Sequence, residues 1–214
     1  PAACQSFSNK TSPELLRFDH DEKTLHSPNG TSLRMGDLGY QSEAQGSLVV
    51  QYNNLGEYGK SLRTALDEPY ARYEAIGLQD RGENYLQLNT HLLQIENEFY
   101  SVIRPKCVTR SGQPPLHALS ECGVEYVEIR CLDLNPFTPN GIDKQTMQFL
   151  DLFLVYCLLS DSPLSDIKEQ SDIAFNQLAT VYGGRNNKLC LRRDNKPILL
   201  SEWGCEILKE VEPI

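Results

Sequence analysis

No two of the seven cysteines in this 214-residue chain are separated by two residues, and that absence argues against a structural zinc site. The thiols stand at positions 4, 107, 122, 131, 157, 190 and 205, an odd number in scattered settings. The apolar surroundings of Cys157, in LVYCLL, suit a small hydrophobe. Reduced thiols in a cytoplasmic setting are therefore expected. Histidine forms no metal-binding pattern either: His20, His26, His91 and His117 contain no i,i+4 pair, and none is assigned to a metal. Positive charge is short. Twenty basic residues against twenty-nine acidic ones give a net charge of -9, which repels phosphate backbones and anionic lipid, so nucleic acid and membrane are not expected partners. No apolar run reaches the length of a membrane span. The longest candidate, residues 149–159, is interrupted by Asp151 and reads as a buried amphipathic helix. There is no internal repeat and no signal peptide, and the chain opens on PAACQSF without an initiator methionine. It reads as an interior piece of something longer.

What is present is an ordinary 40% of hydrophobic residues, enough for one sizeable core. Residues 1–29 are polar and irregular and end in the turn signal SPNG, so an exposed loop is expected there. Residues 47–52 are rich in strand formers. Asn54 then opens a helical pattern through Tyr58, Leu62, Ala65 and Leu66 that ends near Pro69, and a second helix over 70–76 stops at Gly77. DRGEN at 80–84 is turn chemistry; 85–88 alternates like a strand, and 92–99 is open to a helical reading. Residues 100–123 read as a basic connection, a loop and a short helix. Asp143 is placed to cap the strongest helix, 144–159, whose Met147, Leu150, Phe153, Leu154, Cys157 and Leu158 form a broad apolar stripe. A further amphipathic helix from Leu164 to about Tyr182, and a hairpin or extended turn in LCLRRDNKPILLSE, complete the pattern. Helices and strands mix without a βαβ rhythm, which predicts an α+β fold with a mainly antiparallel sheet packed against helices.

The segment VEYVEIRCLD, residues 124–133, carries the densest chemistry. Its period-two alternation places Tyr126, Glu128 and Arg130 on one face and Val127, Ile129 and Cys131 on the other, which can seat in a core. Side chains two apart lie roughly 6.6–7 Å apart along a strand, so the carboxylate and the guanidinium can reach one ligand carrying a metal ion and phosphate oxygens. A surface ion pair is the other reading these residues leave open.

Three ordered stretches, SLRMGDLGY at 32–40, QIENEFYSVIRPKCVTRSG at 94–112 and GVEYVEIRCLDLNPFTPNGID at 123–143, resemble the proteobacterial-type glutamate–cysteine ligases. The likeness extends through about Pro163 and loosens beyond it. It implies a glutamine-synthetase-like fold. It also implies that residues 1–214 are the middle portion of one ligase catalytic domain, without the N-terminal acidic region or the C-terminal remainder.

The implied activity is ATP- and magnesium-dependent joining of the glutamate γ-carboxyl to the amine of cysteine through a γ-glutamyl phosphate, the first step of glutathione biosynthesis. Its partners are the small molecules glutamate, cysteine and ATP. The resemblance assigns Glu128 to magnesium, Arg130 to the transferring phosphoryl group, Arg34 to the substrates, and Tyr40 and Tyr100 to the cysteine pocket.

Arg104, Lys106 and Arg110 form a basic cluster for which triphosphate contact and a solvated loop are both open. Glu96 and Glu98 are open to a magnesium role or to hydrogen bonding. Because the family's glutamate site and much of its metal cluster lie in the N-terminal acidic region, the chain alone is expected to be inactive. The full-length enzyme is expected to be monomeric, and the fragment to self-associate through exposed edges. A truncated, non-catalytic nucleotide-binding or interaction module of the same fold is the alternative.

Overall fold

The computed structural model describes residues 2–4, 16–18, 21–36, 39 and 42–214. The chain divides into two compact units, residues 40–131 and residues 1–39 with 132–214. The fold is α+β, and among the described residues its strands form three small antiparallel sheets rather than one. No helix among the described residues is long and apolar enough to cross a membrane.

At the N-terminus, where an exposed loop was expected, there is a three-stranded sheet of β1 (Ala2–Cys4), β2 (Leu16–Phe18) and β3 (Asp21–His26), in the order β1-β3-β2. The central strand, DEKTLH, has no apolar alternation, and pairing on both sides holds it extended. Leu25 alone supplies a buried apolar anchor from β3.

In the 40–131 unit, α1 (Leu55–Asp67) begins where expected, because the Asn54 Oδ1 accepts the Glu57 N–H at 2.9 Å. Its 3.6-residue period buries Tyr58, Leu62 and Ala65 in a core with Leu92, Leu93, Phe99 and Cys107. Asn54→Ala removes the cap and is expected to lower stability by about 1 kcal/mol, read as a lower denaturant midpoint at unchanged slope. α2 (Ala71–Ile76) stops at Gly77, whose φ of 79° favours a residue without a Cβ.

Residues 47–52 are not a strand. A 3-10 turn covers Glu43–Ser47, and the Gln51 N–H donates to Ser61 Oγ at 3.3 Å, so side chains satisfy groups that a ladder otherwise would. Residues 85–88 form only an isolated bridge, Gln79↔Tyr85, and 92–99 contains one 3-10 turn at Glu96–Glu98. β4 (Ile103–Lys106) pairs with β5 (Tyr126–Ile129), and α3 (Pro115–Cys122) places Leu116, Ala118 and Leu119 in the core.

In the other unit, Asp143 caps α4 (Lys144–Leu159) by accepting the Thr146 N–H at 2.8 Å, and that bond holds its carboxyl below the usual range. The stripe on α4 was expected to be buried. None of its residues is: Leu158 is 83% exposed, and among the described residues the helix packs on α6 (Leu200–Val211), where Tyr156 Oη donates to Glu210 Oε2 at 2.6 Å. α5 (Ile167–Gly183) and the hairpin of β6 (Cys190–Arg193) and β7 (Lys196–Leu199) follow the sequence pattern. Positive φ at Asp194 and Asn195 gives the hairpin its two-residue turn.

Candidate active-site surface

The β4–β5 ribbon carries the polar face that the alternation of VEYVEIRCLD implies. Its register sets Arg104 opposite Glu128 and Lys106 opposite Tyr126. Directly opposed residues share a face of the ladder, so Arg104, Lys106, Tyr126 and Glu128 project to one side. Arg130 extends the pairing by one bond, its N–H donating to the Val102 carbonyl at 2.8 Å. The other face differs from expectation. Val127 is 41% exposed and Cys131 is also exposed, so neither seats in a core.

Glu128 sits between two cations. Arg130 Nη1 donates to its Oε1 at 3.1 Å, and Lys106 Nζ lies 3.7 Å from its Oε2. The three side chains are half-buried. Pairs of this exposure contribute on the order of 1 kcal/mol or less to folding, so the arrangement matters more for where it holds the charges than for stability.

Lys106 therefore joins Glu128 and Arg130. Arg104 is buried, donates from Nη1 to the Asn97 carbonyl at 3.2 Å, and sets its guanidinium 5.9 Å from the Phe99 ring centre. Arg110 lies exposed in the turn before α3, where its N–H donates to Gln113 Oε1 at 3.1 Å.

A small cavity beside this face is lined by Tyr58, Asn97, Phe99, Arg104, Lys106 and Leu116, among others. Burial pushes the phenol of Tyr58 well up, and that of neighbouring Tyr52 up as well; Tyr52 Oη donates to the Ile103 carbonyl at 3.1 Å and so braces β4. Glu96 and Glu98 both serve the backbone: Glu96 accepts the Leu116 N–H of α3 at 2.8 Å and Glu98 the Gln94 N–H at 2.7 Å. Tyr100 is half-buried, and its N–H donates to Gln45 Oε1 at 2.8 Å. That same amide gives a hydrogen to the Glu98 carbonyl at 3.0 Å, a link across more than fifty residues that no local pattern announces.

Arg34 belongs to the other unit, in a bend at 33–36, and Tyr40 lies outside the described residues. The residue that sequence reasoning missed is Asp133, the last of the VEYVEIRCLD run. Its carboxylate accepts from Ser32 Oγ and from the N–H groups of Leu33 at 3.0 Å and Arg34 at 2.9 Å. Both partners lie in motifs quoted above, yet nothing in either string says that they meet.

Comparison with known proteins covers nearly the whole chain. The glutamate–cysteine ligase family model matches residues 1–180. A glutamate–cysteine ligase of Pseudomonas fluorescens is 48% identical over 214 residues, covering 100% of this chain and 40% of that protein. One of Pseudomonas paraeruginosa is 51% identical over 211 residues, covering 99% and 39%. The crystal structure of a Francisella tularensis glutamate–cysteine ligase in complex with AMP superposes with a TM-score of 0.92 at 38% identity, over 100% of this chain and 42% of that one. The chain thus spans about two fifths of the length of the curated relatives it matches. On the family match and these identities, the chain belongs to the glutamate–cysteine ligase family.

Proposed function

We propose that these residues form part of the active site of an enzyme that ligates the glutamate γ-carboxyl to the cysteine amine at the expense of ATP, the first step of glutathione biosynthesis. The observation that carries this reading is the Lys106–Glu128–Arg130 cluster on the polar face of the β4–β5 ribbon. Two cations held on one side of a strand pair suit the oxygens of a phosphate chain, and the AMP bound by the Francisella tularensis relative supports nucleotide use.

In the reaction, a γ-carboxylate oxygen of glutamate attacks the terminal phosphorus of ATP and releases ADP. The cysteine amine then attacks the acyl phosphate, forming the amide and expelling inorganic phosphate. Negative charge accumulates on phosphoryl oxygens in both steps, and Arg130 is the group here whose fork of donors matches them. Lys106 adds a second positive centre. Arg34 and Tyr100 are assigned to the amino-acid substrates, as is Tyr40.

Glu128 offers magnesium one hard oxygen donor, but both of its oxygens face cations, and the described residues contain no group of three side chains able to hold a metal. These residues alone do not form a magnesium site; Glu128 would give the ion one oxygen only where the remainder of the full-length protein supplies the others, and no step is drawn through the ion. The 214-residue chain incubated with glutamate, cysteine, ATP and magnesium is accordingly expected to yield no γ-glutamylcysteine; product formation above background contradicts this. Grafted in place of the matching stretch of the Pseudomonas fluorescens ligase, the same residues are expected to support product formation. A folded graft that makes none, beside an active unaltered relative, overturns the proposed function.

A further inference from the structure

We propose that Asp133 is the positioning residue for Arg34; this rests on the reading above in so far as Arg34 is taken to touch an amino-acid substrate. The segment from Ser32 to Gly36 is neither helix nor strand, so its backbone donors have no ladder to enter. One carboxylate collects them. Asp133 Oδ1 accepts both the Leu33 N–H at 3.0 Å and the Arg34 N–H at 2.9 Å, while Oδ2 accepts the Ser32 hydroxyl. Consecutive N–H groups turned toward one anion form a nest, and bonds to an ionised acceptor are about twice as strong as neutral ones. The Ser32 Oγ in turn accepts the Met35 N–H at 3.0 Å, which closes the bend.

The same strip of chain is held at its other end by α5. The Thr31 N–H donates to the Val181 carbonyl at 2.8 Å and its hydroxyl to the Thr180 carbonyl at 2.6 Å. At Gly36 a Cβ would stand 3.4 Å from Val181 Cγ1, so the backbone is packed close there as well. The peptide of Arg34 is therefore fixed between the end of α5 and a carboxylate about a hundred residues further along the chain. A long side chain is placed only as well as its own Cα. A displacement of about 1 Å in a group that orients substrate costs about 100-fold, which sets the scale of what Asp133 protects.

The test has two arms. In the 214-residue chain, amide hydrogen exchange at Leu33 and Arg34 is followed by NMR. Asp133→Ala is expected to speed exchange at both by about tenfold or more, the loss of a charge-assisted bond, whereas Asp133→Asn keeps an acceptor oxygen and stays within about threefold. In the Pseudomonas fluorescens graft, Asp133→Ala is expected to raise the KM of an amino-acid substrate by roughly 30-fold or more with kcat within about threefold, and Asp133→Asn to restore most of the loss. Exchange at the two amides that is unchanged in Asp133→Ala overturns the proposal. So does an unchanged KM in a graft carrying Asp133→Ala, or a fall in kcat that Asn does not rescue. A parental graft that makes no product overturns the ligase reading instead, and the amide exchange then decides the clamp by itself.

Discussion

Arg130→Ala in the Pseudomonas fluorescens graft is expected to lower kcat/KM about 1000-fold, with most of the loss in kcat, because the guanidinium is assigned to charge that develops as the phosphoryl group moves. The geometry gives two reasons for an effect of this size. The Arg130 side chain is only 22% exposed, so its charge acts through a medium less polar than bulk water. Its contact with Glu128 Oε1 at 3.1 Å also fixes the guanidinium, so little reorganisation is left for the reaction itself. Arg130→Lys keeps the charge but loses the planar fork, and is expected to recover only part of the activity. Steady-state kinetics with ATP varied separates the two losses. A variant that raises the KM for ATP while kcat is unchanged places Arg130 in binding alone; a variant with wild-type constants removes it from the site.

The largest expected effect on stability comes from Leu93→Ala. Leu93 is fully buried among Leu62, Ala65, Phe99 and Leu119, and its backbone N–H donates to the Ala65 carbonyl at 3.0 Å. Truncation leaves that hydrogen bond in place and empties the space the side chain fills, which costs about 2–5 kcal/mol. Domains of this size are stable by about 5–15 kcal/mol, so the change removes a large share of the total. Leu93→Met, which nearly conserves volume, is expected to cost less than about 1.5 kcal/mol. Denaturant unfolding of the three proteins checks this. A lower midpoint at unchanged slope for the alanine variant, and a small shift for the methionine variant, are the expected outcomes. Equal midpoints for Leu93→Ala and the parent contradict the assignment of Leu93 to the core.

Elements with a local start signal were legible in the sequence. Asn54 and Asp143 each accept a backbone N–H three residues on, and both head helices that an apolar period already suggested. The β6–β7 hairpin was legible for a similar reason, since Asp194 and Asn195 suit the positive φ that its turn requires. Elements specified from a distance were not. β4 reads IRPK, and its Pro105 argues against a strand until Val127 is placed opposite it. α6 follows β7 directly at Leu199, which caps nothing with its side chain, so a helix that carries a clear apolar face lacked any mark of where it begins.

The candidate site divides along the same line. Glu128 and Arg130 share a face by period alone, and the Arg130–Glu128 ion pair was visible as one of two readings. Lys106 joined them only through the register of β4 against β5. Asp133 and the Ser32–Arg34 bend are about a hundred residues apart, and each looks like ordinary loop chemistry alone. The α4 stripe carried the opposite lesson. Periodicity identified its apolar residues, but it could not say what covers them, and among the described residues none of that helix is buried.

The claim that the polar face of the β4–β5 ribbon belongs to the ligase active site is tested most directly by Glu128→Gln in the Pseudomonas fluorescens graft, with turnover followed across a magnesium titration. Glutamine keeps the size of the side chain and removes the charge that faces Lys106 and Arg130. The predicted result is a higher magnesium requirement together with turnover reduced by about 100-fold or more. Unchanged magnesium dependence at unchanged turnover would contradict it and take Glu128 out of the site.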